Sequence, residues 1–272
     1  MKPKSSTGSL VELVGAPWEI QRLAIPLSNT SNATRISDLY TKAGGNGDYT
    51  CVLALSPDHG IGFSILVAGE TASTARWPLR NTLGDLFIPA AETASAANAA
   101  ANLAGTFVHP TQHGTNLTLS TDFDNDDESS ETGGGLPGLG LQSLYLNGTE
   151  SRALFLALEP SDPAFHNPIT AAMRLYPTGV YSHSASLAAL YKPMIPHGAA
   201  TRRLSHRLVV TGAPFAPRAG AEGGVGGLFD NQPYWMTVDT FSDADEFVLE
   251  VGEGGRVVGV ESVGLGVRFE RE

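Results

Sequence analysis

Thr41-Lys42-Ala43-Gly44-Gly45-Asn46-Gly47-Asp48-Tyr49 stands immediately before two very apolar runs, residues 49–56 and 61–68. One lysine and three glycines lead into a strand pair. An edge strand of this composition presents a cation and bare backbone amides to a bound anion. Tyr49, Cys51, Leu53 and Leu55 alternate along the first run, and Ile61, Phe63, Ile65 and Val67 along the second, with Leu66 and Ala68 opposite. Pro57-Asp58-His59-Gly60 between the runs has the residue types of a hairpin turn. Apolar residues on both faces lead us to expect a sheet covered on both sides, as in a layered α/β sandwich.

Working outward, residues 16–23 and 35–42 read as two preceding strands, with a polar turn at 29–32. After the hairpin, Pro78 suits the first turn of a helix. Leu79, Leu83, Leu86, Phe87 and Ala90 form a stripe at helical spacing. Pro89 is expected to kink or split this helix, and the alanine-rich stretch 90–104 continues it. From Gly105 the texture changes. Short β-like runs at 115–121, 139–146, 153–159, 171–176, 203–211, 234–241, 246–251, 256–260 and 264–270 alternate with turn residues, the pattern of an antiparallel barrel or sandwich. Residues 120–135, acidic and then glycine-rich, read as a surface loop or a disordered insertion. The division expected is residues 1–104 and 105–272.

With 272 residues and a 42 % apolar share, the chain has material for two cores. A formal charge of −11 argues against nucleic-acid backbones as partners, and no run reaches the roughly 20 apolar residues of a membrane helix. The single cysteine, Cys51, lies in an apolar run and is expected to be a buried small hydrophobe. The first 14 residues lack the apolar region of a signal peptide. Asn29, Asn32, Asn116 and Asn147 head N-glycosylation sequons, a hint of secreted relatives that leaves the compartment of this chain open.

Four segments carry a family resemblance: Gly15-Ala16-Pro17-Trp18-Glu19-Ile20; Asp38-Leu39-Tyr40-Thr41-Lys42-Ala43-Gly44; Leu55-Ser56-Pro57-Asp58 with Gly62-Phe63-Ser64-Ile65-Leu66; and Arg174-Leu175-Tyr176-Pro177-Thr178-Gly179. Together they resemble the last part of the class C β-lactamase and D-Ala-D-Ala carboxypeptidase-like serine hydrolases, more narrowly the fungal β-lactamase-like proteins. The resemblance implies an α+β fold: a partial β-lactamase/transpeptidase-like antiparallel sheet with its C-terminal helix, then an antiparallel β-barrel or sandwich domain. It implies that Lys42 is the motif lysine, Gly44 the motif glycine, and Gly45 the residue whose amide serves an oxyanion hole. Ala43 departs from the family's Ser/Thr and has no hydroxyl for a substrate carboxylate.

The larger departure is upstream. The family's Ser-x-x-Lys and Tyr-x-Asn precede this strand, yet only 41 residues precede Lys42. None of Lys2, Lys4, Lys42 and Lys192 has a serine three positions before it. Tyr145-Leu146-Asn147 matches Tyr-x-Asn only formally, after the strand. The expectation is an N-terminally shortened serine hydrolase relative, non-catalytic as it stands, that uses no cofactor or metal. The alternative is a binding module whose β domain holds a small molecule or a partner chain. Loss of a neighbouring lobe is expected to leave a sheet face and edge open to self-association.

Other constellations are weak. Pro110 breaks any helix carrying His109 and His113. His183 and His206 beside serines point to opposite strand faces. Asp122-Phe123-Asp124-Asn125-Asp126 lacks the glycine and glutamate of a calcium loop. Gly223 to Gly227 has no strand–helix context for a dinucleotide. Trp18, Trp77 and Trp235 read as core or interface anchors.

Overall fold

The computed structural model describes residues 3–9, 11–26, 34–121, 138–156, 172–182, 200–211 and 245–272. It is α+β and divides into two compact units that separate at about residue 97.

The first unit is one antiparallel sheet ordered β1 (Ser5–Ser6), β2 (Glu12–Val14), β3 (Glu19–Pro26), β4 (Thr34–Asn46), β5 (Tyr49–Ser56) and β6 (Ile61–Ala68). A single turn of 3-10 helix at Pro57–His59 joins β5 to β6, closed by Gly60 in the left-handed conformation. Helix α1 spans Ala72–Asn102 and contains both Pro78 and Pro89. It starts six residues earlier than Pro78 suggests and is not interrupted at Pro89. Both prolines are exposed, where the carbonyls freed by their missing N–H groups meet water.

One sheet face is covered along its length by packed side chains, and the other only where Ile20 and Tyr40 are buried, with Trp18 6.3 Å from Tyr40. On the first face Ile25, Leu39, Ala54 and Ile88 form the core, with Leu23 and Phe63 against it, and Phe63 meets Phe87 at 6.2 Å. This corrects two expectations. The buried side of β5 is Thr50, Val52, Ala54 and Ser56, not the Tyr49, Cys51, Leu53, Leu55 side. Cys51 is exposed, directly opposite Gly44 and Leu66 in the ladder. On the same open face Tyr49 is 70 % exposed and Leu66 80 %. The strict two-residue alternation holds, but the helix takes the smaller side chains. In α1 itself Ile88 is the deep residue, while Leu79, Leu86 and Phe87 stay largely exposed.

The second unit is a nine-stranded antiparallel sheet. Its strands are β7 (Gly105–Val108), β8 (Asn116–Ser120), β9 (Leu139–Leu146), β10 (Thr149–Glu150), β11 (Ala172–Ser182), β12 (Ala200–Thr211), β13 (Glu246–Gly252), β14 (Val257–Ser262) and β15 (Val267–Arg271). Pairing of β8 with β9 closes the order β9-β11-β12-β13-β14-β15-β7-β8 into a ring, with β10 attached to β9 alone. The β9–β11 junction is short, Arg174 opposite Gly140 and Leu175 opposite Leu139. Phe107, Leu117, Leu141, Leu144, Met173, Leu175, Leu208, Phe247, Leu249, Val260 and Phe269 fill its interior.

Residues 153–156 form a short helical turn, α2, rather than the expected strand. The backbone N–H of Leu154 donates to Ser151 and that of Phe155 to Arg152. The turn drives Phe155 into the core, 5.5 Å from Phe247. The strand expected at 234–241, the loop at 122–135, Asn29, Asn32, Asp122 to Asp126, His183, Gly223 to Gly227 and Trp235 lie outside the described residues.

Candidate functional site

β3 pairs with β4 as far as Glu19 opposite Thr41, whereas β5 follows β4 from Tyr40 through Asn46. Lys42 to Asn46 is therefore paired on its β5 side, and among the described residues no strand pairs its other edge. An interior strand becomes an edge strand at the lysine. Its free edge offers backbone donors and acceptors to any extended chain laid against it.

Lys42 is half exposed, and its Nζ lies 2.6 Å from Oε1 of Glu19. Thr41 Oγ1 donates to the Glu19 carbonyl at 2.9 Å, which fixes the end of β3 beside the lysine. Ala43 faces Val52 in the ladder. The Gly44 carbonyl accepts from Thr50 Oγ1 at 2.9 Å and from Arg76 Nη1 at 3.2 Å. A side chain at Gly44 would press against Cys51 Sγ, and one at Gly45 against the Tyr49 carbonyl.

Helix α1 adds residues that motif reading missed. Arg76 and Arg80 lie over the Trp77 ring, 4.5 and 5.0 Å from its centroid. Arg76 Nη1 also donates to Thr50 Oγ1, and its Nε is buried without a hydrogen-bond partner. Arg80 donates to its neighbour Asn81 Oδ1 at 2.7 Å. Burial lowers the Arg80 pKa, and the charge of Glu19 opposes that shift. Arginines four residues apart around a tryptophan are visible in the sequence. Their relation to the Lys42 strand depends on where α1 starts.

A second polar network is buried in the same unit. His59 Nδ1 lies 2.7 Å from Ser56 Oγ, and its Nε2 lies 2.7 Å from Glu92 Oε2. Arg35 grips the same carboxylate at 2.9 and 2.6 Å and reaches Asp58 at 3.2 Å, which also accepts from Ser37. Burial alone would raise the Glu92 pKa, but hydrogen bonds from Arg35 and His59 outweigh it and lower it. The Glu92 hydrogen bond raises Arg35. Ser56, His59 and Glu92 have the order of a nucleophile, base and acid. However, Ser56 is 3 % exposed and the His59 side chain 1 %, so no substrate carbonyl reaches the hydroxyl. The network ties the hairpin turn and β4 to helix α1.

In the second unit the charged residues are structural. Arg203 and Glu250 stand opposite each other between β12 and β13 with no side-chain exposure. Arg203 also pairs with Glu261, and Arg268 with Glu250 at 2.7 Å and Glu270 at 2.6 Å. Ser205 Oγ donates to Glu246 at 2.7 Å, while His206 Nδ1 lies 3.1 Å from its own strand's Leu204 carbonyl. The adjacent serine and histidine do not meet. Burial lowers the His206 pKa and raises that of Asp245 against the pull of Arg207. His109 and His113 lie in the β7–β8 loop, where His109 Nδ1 accepts from the amides of Thr111 and Gln112. Asn116 opens β8, and Asn147 sits exposed in the β9–β10 turn at φ 50°. No group of three metal-ligating side chains occurs among the described residues, and no helix among them is long and apolar enough to cross a membrane.

A sheet backed by one long helix, followed by a closed antiparallel ring, frames the comparisons with known proteins. Residues 95–272 match the family described as "Beta-lactamase-like-like, C-terminal domain", and the chain belongs to that family. It is also 28 % identical over 276 residues to a protein of Arthroderma benhamiae named "Beta-lactamase-like protein". That similarity covers 96 % of this chain and 42 % of the other, so the chain spans less than half the length of this relative. No solved structure matches it.

Proposed function

We propose that these 272 residues supply the Lys-x-Gly strand and the C-terminal β domain of a β-lactamase-like serine hydrolase architecture, and do not by themselves catalyse acyl transfer. One observation carries the reading. β4 loses its β3 neighbour at Lys42, so Lys42, Gly44 and Gly45 line a free strand edge, as the resemblance requires of a ligand-binding strand. Lys42 contacts Glu19, and the sequence holds no Ser-x-x-Lys. A lysine without that serine has no nucleophile to activate. The buried Ser56–His59 pair is no substitute.

The test is incubation of the purified chain with a chromogenic β-lactam and a p-nitrophenyl ester, then intact mass after a fluorophosphonate probe. The expected result is neither turnover nor adduct. An adduct mapped to a serine overturns the non-catalytic reading and makes that serine the nucleophile.

A second reading, a binding module in the β domain, is favoured by the concavity of about 250 Å³ along residues 108–116. The packed ring interior puts any small ligand on this rim rather than in the centre.

A further inference from the structure

Asn147-Gly148-Thr149 is a glycosylation sequon set in a tight turn. Leu146 pairs with Thr149 and Tyr145 with Glu150, so Asn147 and Gly148 form a two-residue hairpin connection. Their φ angles are 50° and 79°, the conformation that an Asn-Gly pair favours in such turns. Asn147, Gly148 and Thr149 are all exposed. The Asn147 backbone N–H donates to Thr115 Oγ1 at 2.9 Å, and that of Gly148 to the Gly114 carbonyl at 2.7 Å. The turn is thus pinned by its backbone to the rim of the 108–116 concavity. Among the described residues no hydrogen bond engages the Asn147 carboxamide or the Thr149 hydroxyl. Asn116-Leu117-Thr118, the other sequon among them, is built differently. Asn116 lies between Val108 of β7 and Tyr145 of β9, with both edges of its strand paired. Leu117 is fully buried, and the Thr118 hydroxyl lies 3.5 Å from that of Thr106. Asn116 and Thr118 are half-buried.

We propose that Asn147 is the glycan-attachment site of the second unit and that Asn116 is not one. The co-reactant is an oligosaccharide carried on a lipid pyrophosphate, presented by a membrane-bound transferase to a sequon in a surface turn. A bond forms between Asn147 Nδ2 and the anomeric carbon of the first sugar. The bond from that carbon to the pyrophosphate oxygen breaks, the lipid pyrophosphate leaves with the electron pair, and one Nδ2 proton is released. Nothing is oxidised or reduced. The free carboxamide and hydroxyl of the turn fit this step, whereas at Asn116 it competes with a ladder on both sides. The glycan stands where β10 is paired to β9 alone. A bulky polar group at that turn keeps another chain from the unpaired edge.

The test directs the full chain into the secretory pathway of a glycosylating yeast behind a host leader and recovers it from cells and medium together. A glycan-releasing amidase in heavy-oxygen water then marks each formerly occupied asparagine as a labelled aspartate for peptide mass mapping. The expected result is label at Asn147 and none at Asn116. Asn147→Gln and Thr149→Ala are expected to remove this glycan, Thr149→Ser to keep it, and Asn116→Gln to leave it unchanged. The amidase is also expected to release it from the folded chain without denaturant, because the turn is exposed. An unlabelled Asn147, or label at Asn116 to the same extent, overturns the proposal. Release from Asn147 only after denaturation overturns it as well, since the glycan would then not stand on an exposed turn.

Discussion

His59 Nε2 lies 2.7 Å from Oε2 of Glu92, and this contact joins the turn between β5 and β6 to helix α1 across 33 residues of sequence. Arg35 of β4 holds the same carboxylate with two donors. One carboxyl group thus locks three elements on the buried face of the sheet. Glu92→Gln keeps the volume but gives up the charge that both partners use. Hydrogen bonds to charged groups contribute about 1.5–3 kcal/mol each. We expect the first unit of Glu92→Gln to be destabilised by about 2 kcal/mol in denaturant melts. Asp85→Asn, on the same helix and exposed, is expected to be neutral within about 0.5 kcal/mol.

The two units are expected to lose stability in different pH windows. Glu92 has a lowered pKa in the folded chain, so the unfolded state binds its proton first as pH falls. Its contribution is complete above the ordinary glutamate value of 4.5 and is lost as pH drops through the lowered one. His206, also lowered, stays neutral in the folded ring while the unfolded chain takes up a proton below 6.5. The second unit should therefore weaken from about pH 6.5 downward, before the first. Unfolding followed by hydrogen exchange of each unit between pH 7 and pH 4 checks the order. Simultaneous loss in both counts against it.

The open sheet face should drive self-association. Tyr49, Cys51, Leu53 and Leu66 lie exposed together across β5 and β6, and an apolar patch of this kind is a contact surface. Sedimentation of the chain alone is expected to show concentration-dependent association, and Leu66→Lys with Tyr49→Lys to reduce it. A strictly monomeric wild type refutes the expectation.

The order of strands 19–26, 34–46, 49–56 and 61–68 was legible because alternation and the Pro57–Gly60 turn are local signals. Which face is buried was not. Both sides of β5 carry apolar residues, and only the docking of α1 selects Val52 and Ala54 over Tyr49 and Leu53. The helix start was misplaced for a related reason. Pro78 is a good N-terminal residue, but the chain already turns at Gly69–Ala72, where the amide of Ala72 donates to Gly69. Of the candidate site, Lys42, Gly44 and Gly45 were visible as a motif. Glu19 and Arg76 reach it through register and helix placement, which leave no contiguous pattern.

Gly259 is the position where the ring's outer charge network meets its backbone. It stands opposite Glu250 on one side and Glu270 on the other. A Cβ there would come within 2.6 Å of Glu250 Oε2 and 3.0 Å of the Phe269 carbonyl. The carboxylate cannot swing away, because Arg268 holds that same oxygen from Nε at 2.9 Å and Nη2 at 2.7 Å, and the carbonyl is backbone. Gly259→Ala should therefore destabilise the second unit by about 1–3 kcal/mol, the usual range for overpacking. Glu250→Gln should cost about 1.5–3 kcal/mol, because it weakens the charged hydrogen bonds from Arg268 and leaves the buried Arg203 with Glu261 as its remaining carboxylate. The double variant is expected to be less destabilised than the sum, since an alanine at 259 presses on a group that no longer anchors Arg268. Thermal or denaturant melts of the four proteins give the coupling directly. Strict additivity would mean that Gly259 is constrained by the Phe269 backbone alone.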